Sequence, residues 1–490
     1  MERYNLVVIG GGSGGLVVAA GGAGLGARVA LAEKHTRNFT HENKIIQAMG
    51  GDCLQYGCVP SKALIRCGKA AHHARESSRY AIQGVNDPGP QDLKGVMEYV
   101  RASQAHISPN DSVDRFSGLG VDVLLGPARL RSANEVEVGD KVVWGKHVVI
   151  ATGSRAMIYP IPGLEEAGYL TNETVFECET LPKRFLVMGG GPIGTEIGQS
   201  FSRLGSKVTI VSSTSHICPK EDADVAAILE KKLREEGVTI INDAKATKIE
   251  KRADGVKVVT VSPKTGGETT IEVDEILVAT GRRPNIEGLN LEGAGIAHSA
   301  KGIQTDDYCR TNVPGVWAIG DVAGPYLFTH WAGYQAKVII RNTLFPGMAR
   351  CEYDNLPWTT FTEPEIAHVG MNETTAKEKN VPHKVFKVGF EHNDRAVCDG
   401  EHEDYFAKVV AGPKGEILGA TIVHPHAGNL LAELVLAKKH GITLDKVYNT
   451  IHAYPTLTEV SGALGGAFMR TKLSPSTKER LTKVYRWLRR

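Results

Sequence analysis

The sequence has 490 residues, which at roughly 150 residues per domain predicts about three domains. Charged residues make up 23% of the chain and the hydrophobic class 42%, and 57 basic against 55 acidic side chains leave a net charge of +2. This ordinary composition excludes a disordered chain, a coiled coil and a fibrous repeat, and the charge balance predicts no nucleic-acid partner. The eight cysteines are too few for a disulfide scaffold in a chain of this length, so we expect a reduced protein in which a few thiols carry chemistry.

The start of the chain predicts a strand rather than a leader. The apolar run 6–9 comes almost directly after Met1, which leaves no room for a signal peptide. No apolar run reaches the roughly 18 residues that a transmembrane helix needs. Both observations favour a cytoplasmic location.

Two glycine-rich segments far apart in the chain share one pattern. In each, an apolar run (6–9 and 185–188) enters a glycine cluster, a helical stretch follows, and a second apolar run (28–33 and 207–212) comes next. The segments align without a gap, and the order of strand, glycine turn, helix and strand predicts a βαβ unit for each. The motif positions are occupied by Gly10, Gly12 and Gly15 in the first copy and by Gly189, Gly191 and Gly194 in the second.

Each unit closes with an Ala-Thr-Gly turn, at Gly153 and Gly281. Beyond residue 350, the runs 406–410 and 417–422 predict antiparallel strands, and this part has no glycine motif. We therefore expect an α/β fold with two Rossmann-like dinucleotide-binding domains and a C-terminal α+β domain. The expected boundaries are 1–155 with 282–350 for the first domain, 156–281 for the second, 351–470 for the third and 471–490 for a tail.

The glycine turns predict dinucleotide binding. Without Cβ atoms the backbone can approach a pyrophosphate at a helix N-terminus, where the amide dipoles favour negative charge. At the end of the next strand, Glu33 is placed to accept hydrogen bonds from a ribose, whereas the second copy has Ser212 there. A serine does not repel a 2′-phosphate, although no arginine follows it directly, so the sequence slightly favours NADPH over NADH.

The segment 50–62 carries two cysteines, Cys53 and Cys58. On an ideal helix their Cα atoms would lie roughly 8 to 9 Å apart, which exceeds the roughly 7 Å that a disulfide tolerates. Gly57 lets the backbone deform just before Cys58, so a small, reducible disulfide becomes possible. Because no second cysteine pair has zinc-ligand spacing, we expect no resident metal site.

With these residues the chain resembles the class I FAD-dependent pyridine nucleotide-disulfide oxidoreductases, which include dihydrolipoamide dehydrogenase and mercuric reductase. The resemblance rests on both glycine turns, both Ala-Thr-Gly turns and the Cys-x4-Cys-x-Pro-Ser-Lys segment. It continues through 318–322 and 361–367, and so spans nearly the whole chain. It implies that the first glycine turn holds FAD, with Gly320 and Asp321 at its ribitol or pyrophosphate, and that the second holds NAD(P)H.

The resemblance also implies roles around the cysteines. Cys58 would lie against the isoalloxazine as the charge-transfer thiolate, and Cys53 would be the exposed interchange thiol. Lys62 would pair with Glu196 near the flavin N5. Positive charge beside a thiolate stabilises it at neutral pH, so this arrangement is chemically coherent.

The C-terminal segment departs from the thiol-disulfide members of this family. Those enzymes carry His-Pro-Thr-x-x-Glu, in which the histidine serves as base for the dithiol of the partner subunit, and the resemblance therefore implies a homodimer. Here Tyr454 stands in the histidine's place, while Glu459 aligns. A phenol titrates near pH 10 and is a poor base for a thiol at neutral pH. His452 could substitute only in a rebuilt loop, and a histidine satisfied within the loop is the favoured interpretation.

A tyrosine at this position resembles mercuric reductase, as do Asp52 and the stretches 170–176 and 341–345. The vicinal cysteine pair near the C-terminus of that enzyme has no counterpart here, since the last cysteine is Cys398. We expect the acceptor to be a disulfide or a soft metal ion such as Hg(II), which thiolates bind. Two alternatives stay open: a specialised dihydrolipoamide dehydrogenase acting on a lipoyl protein, and a low-turnover flavin redox sensor.

The tail at 471–490 is basic and amphipathic. Its Leu481, Val484, Tyr485 and Leu488 recur at helical spacing among lysines and arginines. Such a helix can lie on a membrane surface, but packing against the dimer or a solvated end is the favoured interpretation. The segment 36–48, which lengthens the approach to the cysteines, carries no functional prediction.

Overall fold

The computed structural model describes residues 1–84 and 87–489, which divide into two compact units. The first unit consists of Met1–Ile217 with Glu236–Glu352, and the second of Cys218–Glu235 with Tyr353–Arg490. Among the described residues, none of the helices combines the length and the apolar character that crossing a bilayer requires.

The N-terminal half of the chain alternates strands and helices. Its strands are β1 (Glu2–Ile9), β2 (Val29–Glu33), β3 (Arg37–His41), β4 (Lys44–Ala48), β5 (Val121–Leu125), β6 (Ala128–Leu130), β7 (Glu135–Val138), β8 (Lys141–Ile150), β9 (Ser154–Ala156), β10 (Arg184–Met188) and β11 (Lys207–Val211). Its helices are α1 (Ser13–Gly24), α2 (Gly51–Gln55), α3 (Cys58–Arg75), α4 (Leu93–Ile107), α5 (Val113–Gly118), α6 (Leu164–Ala167) and α7 (Pro192–Leu204).

The C-terminal half begins with more strands and ends mostly in helices. Its strands are β12 (Thr239–Ile241), β13 (Ala244–Lys251), β14 (Lys257–Pro263), β15 (Thr269–Val273), β16 (Glu275–Val278), β17 (Arg282–Pro284), β18 (His298–Ser299), β19 (Gly302–Ile303), β20 (Val316–Ala318), β21 (Pro357–Thr360), β22 (Glu365–Gly370), β23 (Lys384–Gly389), β24 (Phe406–Ala411) and β25 (Ile417–His424). Its helices are α8 (Ala223–Glu235), α9 (Thr329–Leu344), α10 (Glu373–Glu378), α11 (Asp394–Asp399), α12 (Ala427–Lys439), α13 (Leu444–Tyr448), α14 (Glu459–Thr471) and α15 (Pro475–Leu488). Short 3₁₀ turns lie at Ser77–Tyr80, Ser108–Asp111, Val175–Glu177, Gly320–Val322, Tyr353–Asn355 and Phe390–His392.

The first unit contains two sheets whose central strands are parallel and follow the same design, although β7 pairs antiparallel with β6 and β8 at one edge of the larger sheet. In one, the order is β5-β2-β1-β8-β7-β6 with β20 against β8, and β1 runs parallel to both of its neighbours. In the other, the order is β12-β11-β10-β16, and all pairs are parallel. Strands β1 and β10 each lie where the chain order of the sheet reverses, the point at which doubly wound sheets bind ligands. Both predicted βαβ units are confirmed.

The second unit is built on an antiparallel sheet. Its order is β21-β22-β25-β24-β23, and β24 and β25 pair antiparallel as the sequence predicted. Helices α12 and α14 contribute Leu434 and Leu464 to the same core as Ile422 of the sheet. The predicted fold class, two Rossmann-like domains followed by an α+β domain, is therefore confirmed.

The division into four segments stays a prediction. The predicted boundaries place 218–235 with the second nucleotide-binding domain, whereas this stretch, which contains α8, belongs to the same compact unit as the C-terminal sheet. The predicted amphipathic tail forms α15, whose described side chains are not buried within this chain.

Candidate functional site

The first glycine turn joins β1 to α1, and its three motif glycines meet different surroundings. A Cβ on Gly10, whose φ is +108°, would lie 2.4 Å from the carbonyl oxygen of Ala151. A Cβ on Gly15 would lie 1.9 Å from the carbonyl oxygen of Gly10, so this glycine allows the helix to pack on the strand. A Cβ on Gly12 would approach nothing closer than the Cα of Gly51, at 3.9 Å. Two glycines are thus required by the fold, and Gly12 leaves its side of the turn open.

The residues around this turn fit a dinucleotide. No described side chain caps the N-terminus of α1 at Gly12, and its first turn has no acidic residue. The free amide groups therefore favour a negatively charged group there. Glu33, the last residue of β2, accepts hydrogen bonds from the backbone N–H groups of Gly11 (2.5 Å) and His35 (2.7 Å), so its carboxylate is fixed beside the turn.

The second glycine turn, between β10 and α7, repeats these relations. A Cβ on Gly189 would lie 2.3 Å from the carbonyl oxygen of Ala279, and one on Gly194 would lie 2.0 Å from that of Gly189. A Cβ on Gly191 would have no described atom within 4 Å. The same open side is therefore present, and it fits a second dinucleotide.

Ser212 occupies the position that Glu33 has in the first copy. Its Oγ lies 2.7 Å from where a Cβ on Gly190 would be, just as Glu33 lies beside Gly11. Ser212 is 2% exposed, and its hydroxyl is 2.9 Å from Thr214 Oγ1. The second copy therefore presents no carboxylate that would repel a 2′-phosphate. The preference for NADPH over NADH stays a prediction.

The two cysteines lie on either side of a break between α2 and α3. The break is close-packed, because a Cβ on Gly57 would lie 2.8 Å from Asp52 Oδ2 and 2.9 Å from Asp52 O. The N–H of Gly50 donates to the carbonyl oxygen of Gly11 over 2.9 Å, which fixes the start of α2 against the first glycine turn. The backbone deformation predicted at Gly57 is thus present, and it keeps Cys58 out of the helix that carries Cys53.

The surroundings of the pair favour a thiolate on Cys58. Hydrogen bonding from the Cys53 thiol lowers the pKa of Cys58 to about 6, and Thr329 and the positive charge of Lys62 act in the same direction. Thr329 Oγ1 lies 3.2 Å from Cys58 Sγ. The pKa of Cys53 is raised by its bond to Cys58 and by burial. The reduced pair therefore keeps its proton on Cys53.

The relative exposure of the two thiols differs from the expectation. Cys53, predicted as the exposed thiol, is partly buried, whereas Cys58 is exposed. The reason is that Cys53 lies within α2 beside the buried Leu54, while Cys58 begins α3 after the break. The roles assigned to the two thiols stay proposals that rest on their pKa order rather than on their exposure.

Lys62 and Glu196 join α3 to α7. Lys62 Nζ donates to Glu196 Oε2 over 2.8 Å, and the glutamate side chain is 7% exposed. Gly68 allows the close approach of the helices, since its Cβ would lie 3.2 Å from the Cα of Ser200. Lys62 follows Cys58 by one helical turn, so the two side chains lie on one face of α3.

Asp321 belongs to a charged group that reaches the cysteine segment. Its carboxylate accepts a hydrogen bond from Ser154 Oγ over 2.5 Å and lies 3.7 Å from Arg282 Nε. Arg282 also pairs with Asp52 Oδ1 over 3.2 Å, and Asn172 donates to the same oxygen at 3.0 Å. Burial raises the pKa of Asp321, and the Ser154 hydroxyl and Arg282 oppose this.

The remaining predicted glycines occupy turns with positive φ. Gly153 (+70°) follows β8, Gly281 (+146°) follows β16, and Gly320 (+71°) follows β20. The N–H of Gly320 donates to Gln335 Oε1 over 2.8 Å, which ties the turn before Asp321 to α9. Their predicted cofactor contacts stay proposals.

The predicted C-terminal residues lie in one loop of the second unit. Tyr454 is 71% exposed, its hydroxyl donates to Asp394 Oδ2 over 2.9 Å, and this bond raises the pKa of the phenol. His452 Nε2 lies 2.9 Å from Glu433 Oε1, so its side chain has a hydrogen-bond partner within its own unit. Glu459 accepts a hydrogen bond from the backbone N–H of Thr456 over 3.2 Å, which holds the loop.

Several of these partners were not predicted from the sequence. Thr329, Asp394 and Glu433 are brought to their partners by tertiary packing, and no local pattern marks them. Arg282 directly follows the Ala-Thr-Gly turn at Gly281, so that motif could have indicated it. Within residues 1–84 and 87–489 there is no cluster of three or more potential metal ligands.

The chain is similar to known proteins over most of its length. Residues 4–339 match the family model described as pyridine nucleotide-disulphide oxidoreductase, and residues 356–463 match that family's dimerisation domain. The chain is 36% identical over 470 residues to a dihydrolipoyl dehydrogenase of Thermus scotoductus, covering 94% of this chain and 96% of the relative. It is 31% identical over 460 residues to a mercuric reductase of Lysinibacillus sphaericus, covering 94% and 81%. The crystal structure of LpdA from Mycobacterium tuberculosis has the same fold, with a TM-score of 0.84, 24% identity and coverage of 96% and 100%.

Proposed function

The chain belongs to the pyridine nucleotide-disulphide oxidoreductase family, and we propose that it transfers electrons from NAD(P)H through FAD and the Cys53–Cys58 pair to a disulfide or a soft metal ion. Enzymes of this family are flavoprotein oxidoreductases that use FAD and NAD(P)H. The match to the dimerisation domain supports the proposal that the enzyme works as a homodimer. We further propose that the acceptor is of the type that mercuric reductase uses.

The observation that carries the proposal is the state of the cysteine pair. Two thiols are held next to each other across a helix break, and the hydrogen bond from Cys53, Thr329 and the charge of Lys62 favour a thiolate on Cys58 near neutral pH. A thiolate is the reactive form of cysteine and a strong ligand for soft metal ions. The pair can therefore be oxidised to a disulfide and reduced again, or can bind a metal ion through both sulfurs.

The nucleotides are assigned to the two glycine turns. FAD would lie on the open side of Gly12, with Glu33 at its ribose and Asp321 at its ribitol or pyrophosphate. NAD(P)H would lie on the open side of Gly191, beside Ser212. When bound, FAD supplies the two-electron chemistry that connects a nicotinamide to a dithiol.

Proton balance distinguishes the two acceptor classes. Reduction of a disulfide by NAD(P)H consumes one proton overall: Cys53 gives up its proton when it attacks the acceptor, and both acceptor thiolates take up a proton as they leave. A base is then needed, and Tyr454, whose pKa is raised by Asp394, is a poor one. Binding of Hg(II) through both sulfurs displaces the Cys53 proton to solvent, its reduction to the metal by NAD(P)H releases one further proton before Cys53 is protonated again, and no acceptor thiol has to be protonated or deprotonated. The residue at 454 therefore favours the metal or an unusual disulfide.

A specialised dihydrolipoamide dehydrogenase is the second candidate. The 36% identity to a dihydrolipoyl dehydrogenase supports it, as does the bond from Thr456 to Glu459, which keeps the C-terminal loop in order. Tyr454 counts against it. A flavin redox sensor with little turnover is the third candidate, and the two complete glycine turns count against that.

Anaerobic reduction of the purified protein with NADH and NADPH in parallel tests the proposal. We expect a long-wavelength thiolate-to-flavin band, followed by turnover when Hg(II) or a disulfide acceptor is added. Turnover with lipoamide and dihydrolipoamide would transfer the function to the second candidate. A band without turnover on any acceptor would favour the sensor, and the lack of any band would contradict the assignment of the cysteine pair.

Replacing Cys53 with serine tests the relay. Cys53→Ser should abolish transfer to every acceptor, because the thiol that carries the proton is lost, while FAD stays bound. Cys67→Ser, on α3 but with a pKa raised by burial, is the matched control and should keep full activity. A normal rate in Cys53→Ser would exclude the relay.

Replacing Tyr454 with histidine tests the base. Because an imidazole titrates near neutrality, Tyr454→His should raise dihydrolipoamide oxidation by at least roughly tenfold. His452→Gln in the same background is the control, since His452 is already paired with Glu433 and should not contribute. If the rate does not rise, Tyr454 is not what limits this reaction.

A further inference from the structure

A second pair of cysteines lies in the first unit, away from the glycine turns in sequence. Cys309 and Cys351 are far apart in the chain, yet their sulfur atoms lie 3.4 Å apart. Both are buried, at 1% and 6% exposure. Cys309 precedes β20, and Cys351 follows α9. The spacing of these cysteines in the sequence gives no indication that they meet.

The backbone around the two sulfurs holds them together. The N–H of Cys351 donates to the carbonyl oxygen of Asp307 over 2.7 Å, and the side chains of Arg350 and Asp307 pair at 2.5 Å. On the other side, the N–H of Cys309 donates to the carbonyl oxygen of Asp306 over 2.9 Å. The two chain segments are therefore joined next to the sulfurs, so the short distance is imposed by the fold.

The conformation of Cys309 is unusual for a residue with a side chain. Its φ is +66°, in the left-handed region that glycine adopts readily and that other residues adopt at a cost. A glycine, asparagine or aspartate would fit this turn with less strain, and none of them stands there. The position is therefore explained better by what the thiol does than by the turn alone.

We propose that Cys309 and Cys351 form a second dithiol–disulfide site, which exchanges with low-molecular-weight disulfides. Cys351 is the attacking thiol, because it is the more exposed of the two and because the nearby residues 345–348 form an exposed stretch that can open locally. The hydrogen bond from Cys309 lowers the pKa of Cys351, while burial and the charges of Asp307 and Asp306 oppose this.

The exchange balances without any other reactant. The Cys351 thiolate attacks one sulfur of the small disulfide, the S–S bond of that molecule breaks, and the leaving thiolate takes up the proton that Cys351 lost. Cys309 then loses its proton and attacks the Cys351 sulfur of the mixed disulfide, and the second thiolate leaves with that proton. Two protein thiols are oxidised to one disulfide, and one small disulfide is reduced to two thiols.

The crosslink would close a loop that contributes to the candidate site. This loop contains α9, with Thr329 against Cys58 and Gln335 against Gly320. Closing a long loop restricts the unfolded chain and so stabilises the folded one. We expect oxidation to raise the thermal midpoint of the first unit by roughly 5 °C. The proposal does not depend on which acceptor the Cys53–Cys58 pair reduces.

Peptide mapping of the full-length enzyme as purified tests the proposal. The protein is incubated with glutathione disulfide, acid-quenched, alkylated and digested, and the peptides are identified by mass spectrometry. We expect a peptide in which Cys309 is linked to Cys351, which disappears with dithiothreitol, together with the rise in thermal midpoint. A pair that stays alkylatable at every glutathione disulfide concentration, a mixed disulfide on Cys351 without the link, or a link to another cysteine would each overturn it.

Serine variants separate this site from the first pair. Cys309→Ser should trap glutathione on Cys351 and lose the rise in thermal midpoint, whereas Cys398→Ser, an exposed cysteine in the second unit, should keep it. Because Cys309→Ser could fail to fold, Cys351→Ser provides a second test with the same expected loss. A midpoint that still rises in both variants would show that the stabilisation comes from elsewhere and would contradict the proposal.

Discussion

The two glycine turns of the first unit are copies in their steric requirements. In each, a Cβ on the first glycine would overlap a carbonyl oxygen of the opposite Ala-Thr-Gly segment, at 2.4 Å for Gly10 and 2.3 Å for Gly189. In each, a Cβ on the last glycine would overlap the carbonyl oxygen of the first, at 1.9 Å for Gly15 and 2.0 Å for Gly194. The requirement comes from packing a helix onto a strand through a short turn, so it is independent of the ligand.

The copies differ in what surrounds the turn. The first has the carboxylate of Glu33 at the strand end, and the cysteine segment is attached to it through the bond from Gly50 to Gly11. The second has the buried hydroxyl of Ser212. The glycines therefore specify a dinucleotide-binding fold, and we propose that the strand-end residue and the attached segment decide which nucleotide binds and what chemistry it serves.

The middle glycines give the largest expected effect. Gly12 and Gly191 have ordinary φ values of −86° and −77° and no close described neighbour, so alanine should be tolerated by the fold at both. The added methyl group would lie where a pyrophosphate approaches the backbone. We expect Gly12→Ala to weaken FAD retention, and Gly191→Ala to raise the KM for NAD(P)H, each by roughly 100-fold or about 2.8 kcal/mol. Flavin absorbance per chain and steady-state kinetics measure the two effects.

The two variants control each other. Gly191→Ala should keep its flavin, and Gly24→Ala, a methyl group at the open end of α1, should change neither property. Gly15→Ala and Gly194→Ala should instead prevent folding, because the new Cβ would overlap a carbonyl oxygen. If Gly12→Ala instead lowers the affinity for NAD(P)H and leaves FAD bound, the two cofactors are assigned to the wrong turns.

Most of the fold could be predicted because its signals are local. Apolar runs, glycine turns and the repetition of both are sufficient to predict the βαβ units, and the antiparallel strands β24 and β25 follow from alternation and a turn. The assignment of 218–235 to the second compact unit could not be predicted, because it depends on which surface α8 covers.

The site was predictable only where the motif contains the residue. Cys53, Cys58 and Lys62 lie in one segment: the turn between Cys58 and Lys62 follows from helix geometry, and the glycine before Cys58 indicates the break that brings Cys53 close. The contact from Thr329 to Cys58 and the meeting of Cys309 with Cys351 depend on tertiary packing, in which α9 lies against α1, and no local pattern encodes it.

Giving the second copy the strand-end residue of the first should produce a smaller effect. Ser212→Glu places a carboxylate beside Gly190, where the first copy accommodates one beside Gly11. A like charge next to a 2′-phosphate is unfavourable, so the ratio of kcat/KM for NADPH to that for NADH should fall roughly tenfold. Ser212→Gln has the same shape without the charge and is the control. An equal fall in both variants would mean that size, not charge, causes it.

Substitutions in the Lys62–Glu196 ion pair, which joins α3 to the helix of the second glycine turn, should have the smallest effect on the enzyme. The thiolate of Cys58 persists above about pH 6 and is lost as the pH falls through that value, because the bond from Cys53, then Thr329 and Lys62, lower its pKa. Lys62→Met removes the charge and keeps the chain length, so the pH midpoint of the thiolate-to-flavin band in the reduced enzyme should rise, by less than roughly one unit since the hydrogen bonds remain. Glu196→Gln leaves the lysine charge uncompensated, and the midpoint should not rise. If both substitutions raise the pH midpoint equally, Lys62 acts on Cys58 by packing α3 against α7, and its charge does not contribute.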